Sequence, residues 1–592
     1  MRYRPMLILV FVLVFWHTAV LALLFLPNRT ADLPPPLTQA PDIASYRMQV
    51  QLDPATRTVA GTARITYHNL SPDRLEELWL RLYLKAFRST ETLWMREAGL
   101  VHRGFAVDTK ALGDITVSQL TLPDGTDLLA SATFTDTLMH IPLPVPLQPD
   151  QRIELDVTWI STLPRVFART GYGGRDDTFF MVGQWYPKMV VYDRGVWDTI
   201  PWHANAEFFH DFGSYDVQIT VPQEYVVAGV GVPTGTAVQH NGFKTVRYTA
   251  ENVTDFAFAA SPDFQITSAP AGDAEVVLYY LPEHAAAVNE YLEVATSALQ
   301  TFSSWYGDYP YPRLTVVDVP ENAAGAGGME YPTLITGGTF GAPLTSDFVA
   351  FVVAHEIAHQ WWPMQVATHE GREPWLDEGL AQYTGNRYML AMGRMANRDT
   401  QGLSAFGFDR AQYGTAPTIA ADRPAWEYQR SDYGVAVYSK PAIGFLTLER
   451  VVGTERFRQA LADYVATYRY QHPTAAEFRA VLERSLDADL SWFFDDFVGG
   501  NGVIDYAVGP IENPSTGSSI TVLRVGSIQV PVDIRVTFAS GAQQTIVWNG
   551  TTDTFQQRFS ARDPVLRVEL DPEFKLVAEL NRADNAAQAV EQ

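Results

Sequence analysis

There is no cysteine among the 592 residues. Disulfides, thiolate metal ligands and thiol nucleophiles are therefore excluded. Positive charge is scarce as well. Lysine and arginine number 43 against 67 acidic residues, a formal net charge of −24. Such a balance excludes nucleic acid as a main partner, because phosphates need a cationic surface. It also disfavours general adhesion to anionic lipid, and it predicts that very acidic peptides are poor ligands. Internal repeats and long low-complexity tracts are missing. What is present is apolar material: 47% hydrophobic and 12% aromatic residues. Wholesale disorder is excluded by that fraction. At roughly 100–200 residues per domain, the length predicts three to five units.

Long apolar runs are also few, and the one at the N-terminus is informative. Arg2 and Arg4 precede a run from Met6 to Leu26 in which His17 is the only ionisable residue. Its length is close to the ~20 residues a spanning helix needs. It is longer than the usual apolar stretch of a signal peptide, and no A-x-A site follows it. Residues 1–27 are therefore expected to form an uncleaved signal-anchor, with a cleaved signal peptide as the alternative. The positive-inside rule then puts the rest of the chain outside the cytoplasm, held to the membrane by one helix or, if cleaved, secreted. Residues 28–42, NRTADLPPPLTQAPD, read as an extended proline-rich linker.

Three textures follow. Residues 43–268 alternate with period two, as in Tyr46, Met48, Val50 and Leu52, in Ala63, Ile65 and Tyr67, and in Val217, Ile219 and Val221. With turn residues between the runs, this predicts antiparallel sheet. Residues 269–504 turn helical. A long helix is expected over 285–306, and Thr474 with Glu477 gives a capping box before Phe478, Val481, Leu482 and Leu486. Alternation returns in Val530, Val532, Ile534, Val536 and Phe538 and in Leu566, Val568 and Leu570. Residues 505–580 are expected to form a small β-sandwich, with 581–592 as a tail.

The chemistry lies in the helical segment. His355-Glu356-Ile357-Ala358-His359 is an H-E-x-x-H sequence. On a helix it puts both imidazoles on one face, one turn apart, where they can share a metal, with Glu356 beside them to serve a water. Val349, Val352 and Val353 precede it, Trp361 and Trp362 follow, Ser346 is the expected N-cap and Pro363 the stop. Catalytic zinc takes three protein ligands and keeps one position open. Glu378, in Trp375-Leu376-Asp377-Glu378-Gly379, supplies the third ligand after a gap of 18 residues. One zinc ion per chain is expected.

These motifs resemble the aminopeptidase N and leukotriene hydrolase family of gluzincin peptidases. That family carries H-E-x-x-H-x18-E with W-L-N-E-G around the last ligand, and here Asp377 replaces the asparagine. Its G-x-M-E-N edge strand is matched by Gly327-Gly328-Met329-Glu330, with Tyr331 at the asparagine position. The resemblance implies that Glu330 binds the substrate's free amine and that Gly327, Gly328 and Met329 line the cleft. Its Y-x-K-G-A is matched by Tyr438-Ser439-Lys440-Pro441-Ala442, which makes Tyr438 the oxyanion donor, with Tyr433 a nearby competitor. Gln184, in Gln184-Trp185-Tyr186-Pro187, is the nearest positional match to a second amine contact.

The fold implied is a multidomain α+β protein. It has an N-terminal antiparallel β saddle domain (43–268), a thermolysin-like α/β zinc catalytic domain (269–445), a short helical extension (446–504) and the C-terminal β-sandwich. The function implied is a zinc metalloaminopeptidase acting on peptides with a free N-terminus, with Glu356 as general base. A zinc endopeptidase with an open cleft is the alternative. A peptidase-like surface binding module and a leukotriene-hydrolase-like epoxide hydrolase stand behind it.

Overall fold

The computed structural model describes residues 36–338, 347–394, 404–560 and 562–589. The expected signal-anchor, most of the proline-rich linker and the N-cap Ser346 lie outside the described residues. Among the described residues no helix is long and apolar enough to cross a membrane.

The alternating N-terminal segments fold into sheet because one side of each strand is apolar. In Ala44–Asp53, the residues Tyr46, Met48, Val50 and Leu52 are buried and their neighbours face outward. That strand is central to a seven-stranded sheet. It pairs antiparallel with Thr58–His68 but parallel with Gly213–Pro222. Alternation marks a buried face without giving a neighbour's direction. The parallel pair joins segments far apart in the chain, so the sheet is mixed.

A second sheet begins at Gln265 and runs in chain order through Gln265–Ala271, Ala274–Tyr280, Arg313–Val319 and Leu334–Gly338. Its first pair is antiparallel and the next two are parallel. The change of texture read near residue 269 thus falls inside a strand. Helix α1, Val288–Tyr306, crosses between the second and third strands and buries Val294, Ala298, Leu299 and Phe302. Against it packs α2, Asp347–Ala358, which in turn packs on α3, Pro374–Ala391. From Val353 onward every residue of α2 is buried. Helix α4, Lys440–Val452, lies against α3.

Two more helices follow, α5, Thr454–Tyr468, and α6, Ala475–Leu486. The capping box at the start of α6 is formed: Glu477 Oε2 accepts from the Thr474 amide at 2.8 Å. Beyond it, a three-stranded sheet and a four-stranded sheet make up the C-terminal unit. Ala586–Gln588 pairs with Val565–Leu570, so the unit takes in residues read as a tail. It is docked on the helices. Arg450 donates to Phe574 O at 2.7 Å, and the Ala578 amide donates to Thr447 Oγ1 at 3.0 Å.

Candidate active site

Helix α2 delivers His355 and His359 to one point, and the first turns of α3 bring Glu378 opposite them. His355 Nε2 and His359 Nε2 are 3.1 Å apart. Glu378 Oε2 lies 3.2 Å from the first and 3.4 Å from the second. Zinc–ligand bonds of about 2.0–2.1 Å in a tetrahedron put donor atoms about 3.3 Å apart. The triangle therefore has the size zinc requires, and its donors are the imidazole and carboxylate groups zinc takes. All three side chains are buried. Burial alone would push Glu378 up, but hydrogen bonds from His355 and His359 hold its carboxyl well below the usual range. His355 is held below the usual imidazole value by burial.

Behind the triangle, His359 Nδ1 faces the Trp362 carbonyl at 2.9 Å and Asp377 Oδ1 at 2.7 Å. A histidine whose outer nitrogen is held in this way presents Nε2 to a metal in a fixed orientation. Asp377 is fully buried. Burial pushes it up to about 7, against the pull of His359.

Glu356 sits beside the donors, and among the described residues its Oε2 has no hydrogen-bond partner. Burial drives its carboxyl well above the usual range. His359 opposes that shift, while Glu330, Glu378 and Asp377 add to it. Gly328 packs over it in left-handed backbone (φ 67°), and a Cβ there would stand 3.5 Å from Glu356 Oε1. Glycine thus lets the Gly327–Glu330 segment pass close to the metal-site helix. Backbone bonds pin that segment: the Gly328 amide to Thr336 O at 2.8 Å, and the Thr336 amide to Met329 O at 2.9 Å.

Glu330 comes off this segment into the site. Its carboxylate meets Glu356 and His359 within 4.8 Å. Burial raises its pKa, with His359 opposing, Glu378 adding and Arg169 opposing. Among the described residues no cationic side chain is ion-paired with it. Tyr331 turns away from the site. A Cβ on Gly183 would touch its hydroxyl, so the tyrosine fills space under the N-terminal β unit. Glu207 and Glu370 also meet Glu330 within 4.8 Å. Glu207 is held by both Nη atoms of Arg169, and Arg169 Nη1 also faces Met329 Sδ at 3.4 Å. Glu370 accepts from the Phe208 amide at 2.9 Å and is kept well above its usual pKa by burial.

Tyr438 lies in a π-helical turn, Gly434–Ser439, and its hydroxyl donates to Glu378 Oε1. Such turns widen a helix locally and often mark functional sites. Burial raises the phenol well above its usual pKa, so it stays a donor at neutral pH. Tyr433 is 6.1 Å away ring to ring, and among the described residues its buried hydroxyl has no hydrogen-bond partner. Pro441 stacks on Gly379, where a Cβ would come within 2.6 Å of the proline Cβ. The glycine beside Glu378 thus admits the proline that starts α4.

Gln184 is not gathered with these groups. Its amide nitrogen donates to Asp255 at 2.7 Å and its oxygen accepts from Lys188 at 3.3 Å. The sequence reading did not single out Arg103, Arg169, Glu207 or Glu370. Arg103, Arg169 and Glu207 come from segments outside every motif, and Glu370 lies in the 18-residue gap between His359 and Glu378, where nothing local marks it.

Residues 290–497 match the model of the peptidase family M1 domain. Over this stretch the chain is similar to peptidase family M1. An aminopeptidase M1-B of Oryza sativa subsp. japonica is 30% identical over 203 residues, covering 32% of this chain and 23% of the relative. Aminopeptidase N of Bos taurus is 25% identical over 311 residues, covering 48% of this chain and 32% of the relative. The chain thus spans about a third or less of these curated relatives. An M1 zinc metallopeptidase from Deinococcus radiodurans superposes with a TM-score of 0.56 at 19% identity, over 79% of this chain and 96% of that one. An aminopeptidase A from Legionella pneumophila superposes with a TM-score of 0.65 at 16% identity, over 93% of this chain and 61% of that one. The shared fold is the M1 arrangement of a β-rich N-terminal part, a central catalytic region with helices and a β unit at the C-terminus.

Proposed function

We propose that this chain is a zinc-dependent aminopeptidase that removes the first residue of peptides with a free amine. The observation that carries the reading is Glu330. It is a buried carboxylate, with no cationic side chain paired to it among the described residues, that meets Glu356 and His359 within 4.8 Å. A substrate ammonium is the cation such a group lacks. Anchored there, the first peptide bond falls beside the base and the metal ligands. Glu370, whose pKa burial raises well above the usual range, adds a second carboxyl to the same pocket.

His355, His359 and Glu378 would hold the zinc, with Asp377 and the Trp362 carbonyl orienting His359. When bound, zinc supplies Lewis-acid activation of water and of the scissile carbonyl. Glu356 takes the proton of the attacking water at its unpartnered Oε2 and passes it to the leaving amine. Tyr438 donates its hydroxyl proton to the developing oxyanion, moving from Glu378 to do so. Export through the Met6–Leu26 run belongs to the same reading and rests on the sequence alone.

The test is Glu356→Gln. The variant is expected to bind zinc normally by metal analysis and to lose nearly all turnover. Full activity in a zinc-loaded Glu356→Gln protein would overturn the assignment.

A further inference from the structure

A short hairpin of the N-terminal β unit, Val101–His102 with Phe105–Ala106, turns through Arg103 and Gly104, both in left-handed backbone at φ 47° and 92°. Its tip reaches Glu207, whose carboxylate lies within 4.8 Å of Glu330. Partial desolvation works against the Arg103 cation, yet Tyr438, Tyr433, Glu378 and Glu330 together hold its pKa above the usual arginine value. Tyr438 and Tyr433 feel Arg103 in return. The hairpin therefore places a cation beside Glu207, next to the amine anchor Glu330, and Glu378 and Tyr438 lie within its electrostatic reach.

That cation is only partly satisfied. Arg103 Nη2 donates to Glu207 Oε1 at 2.9 Å, its single hydrogen bond among the described residues. Glu207 is already taken by both Nη atoms of Arg169. Arg169 and Glu207 form a closed pair, with side chains 4% and 2% exposed, whereas Arg103 is 40% exposed. One carboxylate thus serves two guanidiniums, and the outer, exposed one keeps most of its five N–H donors free of protein partners among the described residues. In the working site Glu378 is committed to the metal and Glu330 to the substrate ammonium. Neither is then left to neutralise Arg103. A guanidinium fork matches a carboxylate better than any other common anion of a peptide.

We propose that Arg103 is a specificity residue that binds a carboxylate of the substrate, either on the side chain of the first residue or at the C-terminus of a very short peptide. This rests on the aminopeptidase reading, which puts the amine at Glu330. It also reverses, for this site, the expectation drawn from the net charge: acidic or very short free-acid peptides are favoured.

The test compares kcat/KM for matched substrates in the zinc-loaded wild type, Arg103→Ala, Arg103→Lys and Arg103→Glu. One arm sets a glutamate-first peptide amide against its glutamine-first twin. The other sets an alanine dipeptide acid against its amide. In at least one arm the wild type is expected to favour the acid. Arg103→Ala should lower that ratio by about tenfold or more. Arg103→Lys should fall between, and Arg103→Glu should turn the preference against the acid. The responding arm identifies which carboxylate is bound. Ratios unchanged by Arg103→Ala in both arms would overturn the proposal, as would a wild type that disfavours the acid in both. If the wild type cuts no free-amine substrate, the aminopeptidase reading fails by itself. Calorimetric binding of the dipeptide acid and amide then decides on Arg103, and equal acid affinity in wild type and Arg103→Ala would overturn it.

Discussion

At the scale of single residues, the departure from the family motif at Asp377 has a physical consequence. The carboxylate stands 2.7 Å from His359 Nδ1, where an asparagine would offer a neutral amide. Asp377→Asn is expected to weaken zinc affinity by about 10–100-fold, measured by competition with a chelator. Unchanged affinity would show that the Trp362 carbonyl suffices. Removing His355, His359 or Glu378 should abolish zinc binding altogether. Tyr438→Phe is expected to lower kcat by about 100–1,000-fold with little change in KM. A comparable loss in Tyr433→Phe alone would transfer the oxyanion role to that neighbour. The pH profile has a definite sign. Glu356 acts ionised, and burial raises its pKa, so activity should be lost as pH falls through a value above the ordinary glutamate pKa of about 4.3. A flat profile down to that value would contradict the role. The candidate metal-binding triad of His355, His359 and Glu378 was legible in sequence because helical spacing brings two of its members together and a short loop and helix bring the third. Arg169 and Glu207 are 38 residues apart, and Arg103 and Glu207 are 104 apart. No local pattern announces such partners; only the tertiary fold joins them.

At the scale of elements, the site depends on the fit between α3 and the start of α4. Gly379 follows Glu378 directly and lets Pro441 approach. Gly379→Ala would set a Cβ 2.6 Å from Pro441 Cβ and 3.3 Å from Val437 O. Overpacking of this kind costs about 1–3 kcal/mol. A lower melting temperature and weaker zinc binding are expected together, since the same shift displaces Glu378. A fully stable Gly379→Ala protein would show that the helices can part without cost. The sequence announced the buried faces of these elements through their periodicity. It did not announce the direction of strand pairing, because a parallel neighbour and an antiparallel one bury the same alternate residues.

At the scale of the whole molecule, the C-terminal β unit is a fixed part of the structure. Arg410 donates to the backbone carbonyls of Val577 and Glu579, alongside the contacts of Arg450 and Thr447. Sequence alternation identified the unit but not its docking, since these donors are scattered along helices whose own pattern already accounts for them. The candidate site is likewise assembled across units, with the Gly327–Glu330 segment backed by Arg169 and Glu207 of the N-terminal part. The central claim is that this assembly cuts behind a free amine. The most direct measurement offers the protein a free-amine peptide and its N-acetylated twin, with and without a zinc chelator, and locates each cut by mass spectrometry. Chelator-sensitive loss of the first residue from the free peptide alone is the expected result. Internal cleavage of both peptides would contradict the account and make the protein an endopeptidase.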